Sequence, residues 1–391
     1  EREQEENKML QGKTVLLGVT GGIAAYKMPN VARMLKKMHC NVHVLMTQNA
    51  TNFITATTFE TLTGNKCLID TFDRNFEFSV EHVALAKQAD LVLLAPATAN
   101  VIGKIANGIA DDMLTTTVMA CTCKVLVAPA MNHNMYHNSI VQENLEKLKR
   151  HGYEMIDPVC GMLANGDTGD GKLPSEETLV EYVLRELAFE KDMQGLKVLV
   201  TAGPTQEAID PVRFISNHST GKMGYAIAKN AMLRGAEVTL VTGRTALEPP
   251  MFVKTVPVTS AKDMYQAVME CAKEQDIIVK AAAVADYTPA HTADEKIKKS
   301  EGELSLALEK TTDILAELGK NKGNTVLCGF SMETEHMLEN SRAKRKKKNL
   351  DMIAANNLKQ QGAGFAGDTN VLTLITEDWE KELALMSKDE A

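Results

Sequence analysis

Hydrophobic and polar residues follow two alternating patterns along the first half of the chain. The segment KTVLLGV at 13–19 is a short apolar run with β-branched residues, and NVHVLM at 41–46 alternates with a period of two. Between them, apolar residues recur at helical spacing through 20–39. A strand, a helix and a second strand in this order predict a βαβ unit. Later apolar runs at 89–97 and 123–130 extend the prediction to a parallel sheet with helices on both faces.

The same pattern restarts in the second half. GLKVLVTAGPT at 195–205 and AEVTLVTG at 236–243 predict strands on either side of a helical segment at 222–235. Four later apolar runs, at 276–287, 325–330, 350–357 and 370–376, predict further strands. A chain of 391 residues is long enough for two domains of about 200 residues each. The charged stretch LAFEKDMQ at 187–194 is the predicted junction, which gives domains at 11–190 and 191–391.

Composition excludes several classes of protein. The chain is 44% hydrophobic and 24% charged, and it contains no run of eighteen apolar residues, so we expect no membrane span. Residues 1–10 are highly charged and lack the apolar stretch of a secretory signal, so they are expected to be a disordered tail or an artificial remnant. The net charge of -8 argues against nucleic-acid binding, although RAKRKKKN at 342–349 is locally basic. Seven cysteines without disulfide or zinc spacing favour a reducing cytoplasm.

The turn after the first predicted strand indicates an anion site. GVTGGI at 18–23 places Gly21 and Gly22 between a strand and a helix start, where free N–H groups favour a phosphate. Glycine required only for turn geometry is an equally good interpretation of this motif alone. The spacing is not GxGxxG, and the second strand ends in MTQNA, with Thr47 and no acidic residue to hold a ribose. These features disfavour NAD and leave FMN as the better candidate.

Two later strand ends carry small residues next to amides. Thr98 and Asn100 follow one predicted strand, and Ala130 and Asn132 follow the next. Such residues form a flat slot with directed hydrogen bonds, as a planar heteroaromatic ring requires, although ordinary loops also have this composition. His82 lies near a predicted helix start, and on position alone a surface or capping role is the commoner explanation.

Several motifs together resemble a known family. GVTGGIAAYK, the segment from Glu81 to Leu114, APAMN at 128–132 and the glycine loop GMLANGDTGDGK at 161–172 are similar to the FMN-dependent cysteine decarboxylases. SNHSTGKMG at 216–224 and the rest of the second half resemble the ligase fused to them in bacteria. From about Gln11 onward, the chain therefore resembles the bifunctional phosphopantothenoylcysteine decarboxylase and phosphopantothenate-cysteine ligase family of coenzyme A synthesis. This resemblance implies an α/β protein with two doubly wound parallel-sheet domains, the first flavodoxin-like and FMN-binding, the second Rossmann-like and CTP-binding.

For the first half, the resemblance implies a set of site residues. His82 matches the active-site base, and Asn132 matches the amide that grips the departing carboxylate. The family uses FMN to oxidise the cysteine thiol of its substrate to a thioaldehyde, which loses carbon dioxide to give an enethiolate. The reduced flavin then returns a hydride while a flap cysteine donates a proton. Residues that match the FMN contacts are Gly21, Gly22, Ile23, Thr47, Thr98, Asn100 and Ala130.

Asn165 stands where the family has its proton-donating cysteine. An amide cannot act as an acid near neutral pH, so we expect the final step to phosphopantetheine to be impaired. A trapping substitution is the favoured interpretation, and natural variation with another proton donor is the alternative. The missing cysteine also keeps open a flavin-binding regulatory protein without decarboxylase turnover.

For the second half, the resemblance implies ligation through an acyl-cytidylate. There is no Walker motif, because Ser216 occupies the position of its first glycine. Asn217 matches the residue that turns over the acyl intermediate, and Lys296 matches a catalytic contact to the phosphates. Other residues that match the nucleotide site are Asp286, Thr311, Thr312, Asp313, Ile314, Phe330, Lys344 and Lys348.

Expected ligands and assembly follow from the same resemblance. The substrates are 4'-phosphopantothenate, cysteine, CTP and phosphopantothenoylcysteine, and Mg²⁺ or another divalent cation would shield the triphosphate. No metal ligands are identified from the sequence. The family implies a homo-oligomer with trimeric decarboxylase and dimeric ligase contacts, for which a dodecamer is one assembly. Neither nucleic acid nor membrane is an expected partner.

Overall fold

The computed structural model describes residues 8–71, 81–162, 168–298, 305–333, 336–357, 367 and 369–391. The chain forms two compact units, Glu1–Phe189 and Glu190–Ala391. None of the helices in the described ranges is both long and apolar enough to cross a membrane. All seven cysteines are free thiols.

Unit 1 is built on a five-stranded sheet in the order β2-β1-β3-β4-β5. Each neighbouring pair of these strands is parallel. This strand order is that of the flavodoxin-like folds, in which ligands bind beyond the carboxyl ends of the strands. The interiors of β1, β3 and β4 are almost entirely buried, as expected when helices cover both faces. The strands are β1 Thr14–Val19, β2 Asn41–Met46, β3 Leu91–Ala97, β4 Lys124–Pro129 and β5 Glu154–Met155.

The first predicted helix of unit 1 begins later than its apolar pattern indicates. Residues Ile23–Lys27 form a 3₁₀ turn, and the α-helix begins at Met28 with a proline in its first turn. Proline fits there because the first helical N–H groups lack intrahelical partners. The helices of unit 1 are α1 Met28–Lys37, α2 Ala56–Thr63, α3 Glu81–Gln88, α4 Ala99–Ala106, α5 Met113–Ala120, α6 His133–Tyr136, α7 Ser139–Arg150 and α8 Glu176–Leu187, with a second 3₁₀ turn at Gln48–Asn52.

A hairpin separate from the main sheet completes unit 1. Strands β6 Val159–Met162 and β7 Thr168–Lys172 pair antiparallel. Met131, just after β4, donates its backbone N–H to the carbonyl of Gly171 in β7 over 3.0 Å. The hairpin is thereby attached to the carboxyl edge of the main sheet. Asn165 lies outside the described residues.

Unit 2 contains an eight-stranded sheet in the order β12-β11-β8-β13-β16-β17-β19-β20. The first six strands are parallel, and β19 and β20 continue the sheet antiparallel. The doubly wound fold predicted for this half is confirmed, with an antiparallel edge that the sequence did not predict. Its strands are β8 Lys197–Ala202, β11 Glu237–Thr242, β12 Lys254–Pro257, β13 Ile277–Lys280, β16 Val326–Glu333, β17 Met352–Asn357, β19 Leu372–Ile375 and β20 Glu380–Glu382.

Short hairpins and helices surround the sheet of unit 2. The long segment after β8 contains the hairpin β9 Gln206–Ala208 and β10 Phe214–Ser216. Two further pairs are β14 Tyr287–Pro289 with β15 Leu308–Lys310, and β18 Thr369–Asn370 with β21 Met386–Ser387. The helices are α9 Lys222–Leu233, α10 Ala261–Cys271, α11 Ile314–Asn321 and α12 Met337–Lys347, with a 3₁₀ turn at Ala272–Glu274.

Candidate functional site

The carboxyl ends of β1, β2, β3 and β4 meet at one edge of the unit 1 sheet. Thr20, just after β1, is fully buried and donates its hydroxyl hydrogen to the carbonyl of Pro96 over 2.5 Å. The same hydroxyl oxygen accepts the backbone N–H of Thr98 over 3.0 Å. Thr47, after β2, donates its N–H to the carbonyl of Val19, the last residue of β1. These bonds join the turns that carry the predicted flavin residues.

The structure brings most of the predicted unit 1 residues to this edge. Gly21, Gly22 and Ile23 follow β1, Thr98 caps α4, and Asn132 caps α6. Ala130 donates its N–H to the carbonyl of Ala97 over 3.1 Å. Asn100, in the first turn of α4, is exposed.

His82 differs from this group in its placement. It is the second residue of α3 and is partly exposed. In the described part of the chain, its side chain makes no hydrogen bond to any predicted flavin residue. Its assignment as the base therefore stays a prediction from the resemblance.

The turn after β1 is tightly fitted to the segment after β2. A Cβ atom added to Gly21 would lie 2.5 Å from Cβ of Asn49 and 3.0 Å from its backbone carbonyl carbon. A side chain at position 21 would therefore force the two turns apart. Thr20 was missed as a support of the site, although it lies inside the motif GVTGGI that the sequence analysis singled out.

Unit 2 contains a cavity of about 350 Å³ at the carboxyl ends of β13 and β16. Eight of the predicted nucleotide residues line it: Asp286, Thr311, Thr312, Asp313, Ile314, Phe330, Lys344 and Lys348. Other lining residues come from the start of α9, from the loop after β13 and from the carboxyl-terminal segment. Residues far apart in the sequence thus converge on one concave site next to the point where the strand order reverses, between β8 and β13.

Hydrogen bonds and ion pairs fix the walls of this cavity. Thr311 donates its hydroxyl hydrogen to the carbonyl of Ala285 over 2.6 Å. Lys348 pairs with Asp313 at 2.7 Å, and Lys344 donates to the carbonyl of Phe330 over 3.1 Å. Burial alone would raise the pKa of Asp313, but the Lys348 ammonium and the N–H of Ala316 hold that pKa below its usual range.

Lys280 lies at the end of β13 and lines the cavity, and the sequence analysis did not identify it. Among the described residues, none forms a hydrogen bond or an ion pair with its half-buried ammonium. Burial lowers the pKa of Lys280, and the charges of Lys348 and Lys344 add to this effect against the opposite effect of Asp313 and Asp286, so that the pKa falls to about 8. A cation in this position is stabilised by an anionic ligand.

Two predicted residues lie outside the cavity lining. Asn217 donates its amide hydrogen to the carbonyl of Ala283, a lining residue, over 3.1 Å, so it is adjacent to the site. Lys296 is exposed. Its neighbour Ile297 donates its N–H to the buried carboxylate of Asp210 and accepts a bond from Arg213 over 2.6 Å. Asp210 and Arg213 flank the turn of the β9–β10 hairpin, which leads directly to Asn217.

The carboxyl-terminal segment also contributes a lysine to the cavity. Lys388 lines it and donates to the carbonyl of Gly367 over 2.6 Å. Pairing of β21 with β18 brings this segment into place. No local sequence signal identifies Lys388 as a site residue, because its position depends on that pairing.

Comparison with known proteins identifies the family. Two family profiles match the chain: Flavoprotein over residues 3–188, and DNA/pantothenate metabolism flavoprotein C-terminal domain over residues 193–391. The coenzyme A biosynthesis bifunctional protein CoaBC of Bacillus subtilis is 46% identical over 384 residues, which are 97% of this chain and 95% of the relative.

The chain belongs to the CoaBC family of bifunctional coenzyme A biosynthesis proteins. Enzymes of this family combine a decarboxylase with a ligase, so the resemblance noted from the motifs is confirmed. The CoaBC protein of Escherichia coli K12 is 43% identical over 97% of this chain and 95% of its own length. A crystal structure of the C-terminal domain of a CoaBC protein is 44% identical, covers 51% of this chain and 90% of its own, and has a TM-score of 0.44.

Proposed function

We propose that unit 2, residues 191–391, joins cysteine to 4'-phosphopantothenate with CTP, and that unit 1, residues 11–190, decarboxylates the product with FMN. The observation that carries the ligase half is the convergence of five lysines, two carboxylates and an aromatic ring on one cavity. Lysines suit a polyphosphate, and Phe330 with Ile314 offers apolar surface to a base.

The ligase reaction proceeds in two displacements. A carboxylate oxygen of phosphopantothenate attacks the α-phosphorus of CTP, and pyrophosphate leaves. The amine of cysteine then attacks the acyl carbon, and CMP leaves with the bonding electron pair. Lys280, Lys344 and Lys348 supply positive charge to the phosphates in both steps, and the free N–H groups at the start of α9, a helix of 12 residues, add to it.

Asn217 and Lys296 act from beside the cavity in this proposal. Asn217 holds the loop after β13 through the carbonyl of Ala283. Lys296 is attached through Ile297 to the same hairpin that precedes Asn217. We assign Asn217 to turnover of the acyl-cytidylate and Lys296 to neutralising charge on the phosphates of the nucleotide.

We propose that Mg²⁺ enters the site bound to CTP and is not held there by the protein alone. Mg²⁺ commonly reaches such sites bound to substrate phosphates and keeps several waters. Asp286 and Asp313 are the carboxylates that line the cavity among the described residues. They would contact the ion through its waters.

Unit 1 fits a flavin at the carboxyl edge of its sheet. In the turn after β1, Gly21 lies against Asn49 with no room for a side chain, and a strand-to-helix turn of this kind favours a phosphate. Hydroxyls of Thr47 and Thr98 and the amide of Asn100 are placed near the same edge. When bound, FMN supplies the electron sink that decarboxylation requires. His82 would remove the substrate proton, and Asn132 would hold its carboxylate.

Asn165 determines how far the decarboxylase proceeds in this proposal. It lacks an acidic proton, so product release as phosphopantetheine is slow or absent. The test is mass spectrometry of the products from phosphopantothenoylcysteine. Asn165→Cys should raise turnover to phosphopantetheine, whereas full turnover by the unaltered chain would contradict the impaired step. Flavin binding with neither carbon dioxide release nor rescue would favour the regulatory alternative.

The ligase proposal is tested by pyrophosphate release. We expect release only when CTP, phosphopantothenate, cysteine and Mg²⁺ are all present, and no release when CTP is omitted. A purified chain that ignores CTP contradicts the ligase half. A yellow protein with a flavin absorption spectrum tests the FMN site separately.

We also propose a cytoplasmic homo-oligomer with trimeric contacts between decarboxylase units and dimeric contacts between ligase units. Seven free thiols fit a reducing compartment. Sedimentation analysis of the full chain tests the assembly, and a monomer would contradict it.

A further inference from the structure

We propose that His133, His137 and Asp170 of unit 1 form a binding site for a divalent transition-metal ion such as Zn²⁺. One ligand atom from each of the three residues lies within 4.8 Å of the other two. Neither the flavin edge nor the ligase cavity uses these side chains. The inference is therefore independent of the functions proposed above.

Helix geometry places the two histidines together. His133 is the first residue of α6 and His137 directly follows its last residue, so they are four positions apart and share a face. Their ring centroids lie 4.4 Å apart. Asn132 fixes the start of this turn by accepting the N–H of Asn134 over 2.9 Å.

Two glycines bring Asp170 against the histidines. A Cβ added to Gly169 would lie 2.7 Å from Nδ1 of His133, and Gly171 has a φ of +121° that disfavours any side chain. Only a strand with glycines on both sides of Asp170 can approach α6 this closely. The glycines on both sides of Asp170 thus permit this contact. They belong to the glycine-rich loop at 161–172, and the proposed reactions do not account for both of them.

Hydrogen bonds already hold the donor atoms near one another. Nδ1 of His133 accepts the backbone N–H of Asp170 over 3.2 Å, so its lone pair faces the backbone of Asp170. Nε2 of His137 lies 3.0 Å from Oδ2 of Asp170. A metal ion would take the place of the proton between these two atoms. That proton would move to Nδ1 of His137 or to solvent, and Nδ1 of His133 would exchange a long hydrogen bond for a metal bond.

The donor set selects the class of ion. Two imidazole nitrogens and one carboxylate oxygen suit Zn²⁺, Co²⁺ or Ni²⁺ rather than Ca²⁺ or Mg²⁺, which prefer oxygen. Zinc bonds of about 2.0–2.1 Å require the donors to approach to about 3.4 Å of one another. The side chains of His137 and Asp170 are 49% and 44% exposed. They are free to make this adjustment, and water has access to the remaining coordination positions.

The test is calorimetric titration of Zn²⁺ into the full chain, without a polyhistidine tag and after treatment with a chelator. We expect one saturable site that His137→Gln and Asp170→Asn each weaken by about tenfold or more. Both variants preserve hydrogen-bonding capacity at the cluster while replacing a good ligand with a poor one. His151→Ala is the matched control, because His151 is an exposed histidine at the end of α7, and it should bind Zn²⁺ as the unaltered chain does.

A second titration with Co²⁺ separates this site from the free thiols. Nitrogen and oxygen ligands should give visible absorption bands without a thiolate charge-transfer band. No saturable binding by the unaltered chain overturns the proposal. The proposal is also overturned if Zn²⁺ binds with equal affinity to His137→Gln, Asp170→Asn and His151→Ala. A thiolate band in the Co²⁺ spectrum overturns it as well.

Discussion

The two units place their candidate sites at the same kind of sheet edge but surround them with different chemistry. In unit 1, the edge carries hydroxyls, amides and backbone groups, and buried Thr20 connects the ends of β1 and β3. In unit 2, Lys280, Lys344 and Lys348 line a cavity together with two carboxylates. An uncharged edge suits a planar cofactor that is held by directed hydrogen bonds. A charged cavity suits a polyphosphate that is bound, cleaved and released.

Gly21→Ala should have the largest effect and should act on unit 1 alone. The new Cβ would lie 2.5 Å from Cβ of Asn49, so the turns after β1 and β2 would have to separate. Overpacking of this kind costs about 1–3 kcal/mol. We expect FMN affinity to fall by about tenfold or more. The flavin absorbance of the purified variant measures how much FMN it retains.

Gly103→Ala is the control for that substitution. Gly103 lies within α4, and the nearest atom to its added Cβ is Nδ2 of Asn144 at 3.7 Å, an ordinary contact. This variant should retain flavin. Loss of CTP-dependent pyrophosphate release in Gly21→Ala would show that the two sites are not separable as we infer.

Lys348→Ala should have the next largest effect and should act on unit 2 alone. It removes one cavity ammonium and the ion pair with Asp313 at 2.7 Å. A hydrogen bond to a charged group contributes about 1.5–3 kcal/mol, so the KM for CTP should rise about 10- to 100-fold. Lys346→Ala is the control, because Lys346 lies in the last turn of α12, two residues before Lys348, but is exposed and outside the cavity lining. Equal KM values in the two variants would contradict a specific role for Lys348.

Local sequence signals predicted most of the fold and part of the sites. Buried strands such as β3 and β4 were predictable because their apolar runs are flanked by helical patterns. The 3₁₀ turn at Ile23–Lys27 was not, because its apolar spacing is compatible with an α-helix. Lys280 was missed because a lysine after three apolar residues has the appearance of a strand end. Lys344 and Lys348 were predicted at the nucleotide site, and both line the cavity in the structure.

Asp210→Asn should have a smaller effect on the ligase activity of unit 2, and this effect should act through Lys296. Burial would raise the pKa of Asp210, but the Arg213 guanidinium and the N–H groups of Val212, Ile297 and Arg213 hold it well below its usual range. The charged carboxylate thus connects the β9–β10 hairpin to the segment that carries Lys296. Asparagine keeps the size but loses part of this hydrogen bonding, so we expect the ligase kcat to fall about three- to tenfold.

The KM for CTP should stay nearly constant in Asp210→Asn, because neither Asp210 nor Lys296 lines the cavity. Adding Lys296→Ala to Asp210→Asn should lower kcat no further than Lys296→Ala alone, as expected when one residue acts through the other. Additive losses would indicate that Asp210 does not position Lys296.

The smallest effect is expected in the pH dependence of CTP binding. The pKa of Lys280 is lowered to about 8 in the folded chain, so its ammonium is largely charged at pH 7 and largely neutral at pH 9. CTP affinity should therefore fall severalfold between these values, because a bound triphosphate favours the charged form. Calorimetric titration at pH 7, 8 and 9 measures this change, and binding near pH 8 should take up a fraction of a proton.

Lys280→Met sharpens this prediction, because it removes the titrating group but keeps an unbranched side chain. Its CTP affinity should vary less between pH 7 and 9 than that of the unaltered chain. The unliganded variant should also be more stable at pH 7, because a lysine whose folded pKa is lowered destabilises the fold while it is charged. That difference should shrink as pH rises from about 8 toward the ordinary lysine pKa of about 10.4, since only the folded state loses its proton in this range. If CTP affinity varied identically with pH in both chains, another group would be the one that titrates. Lys280 would then have no role in binding the phosphates.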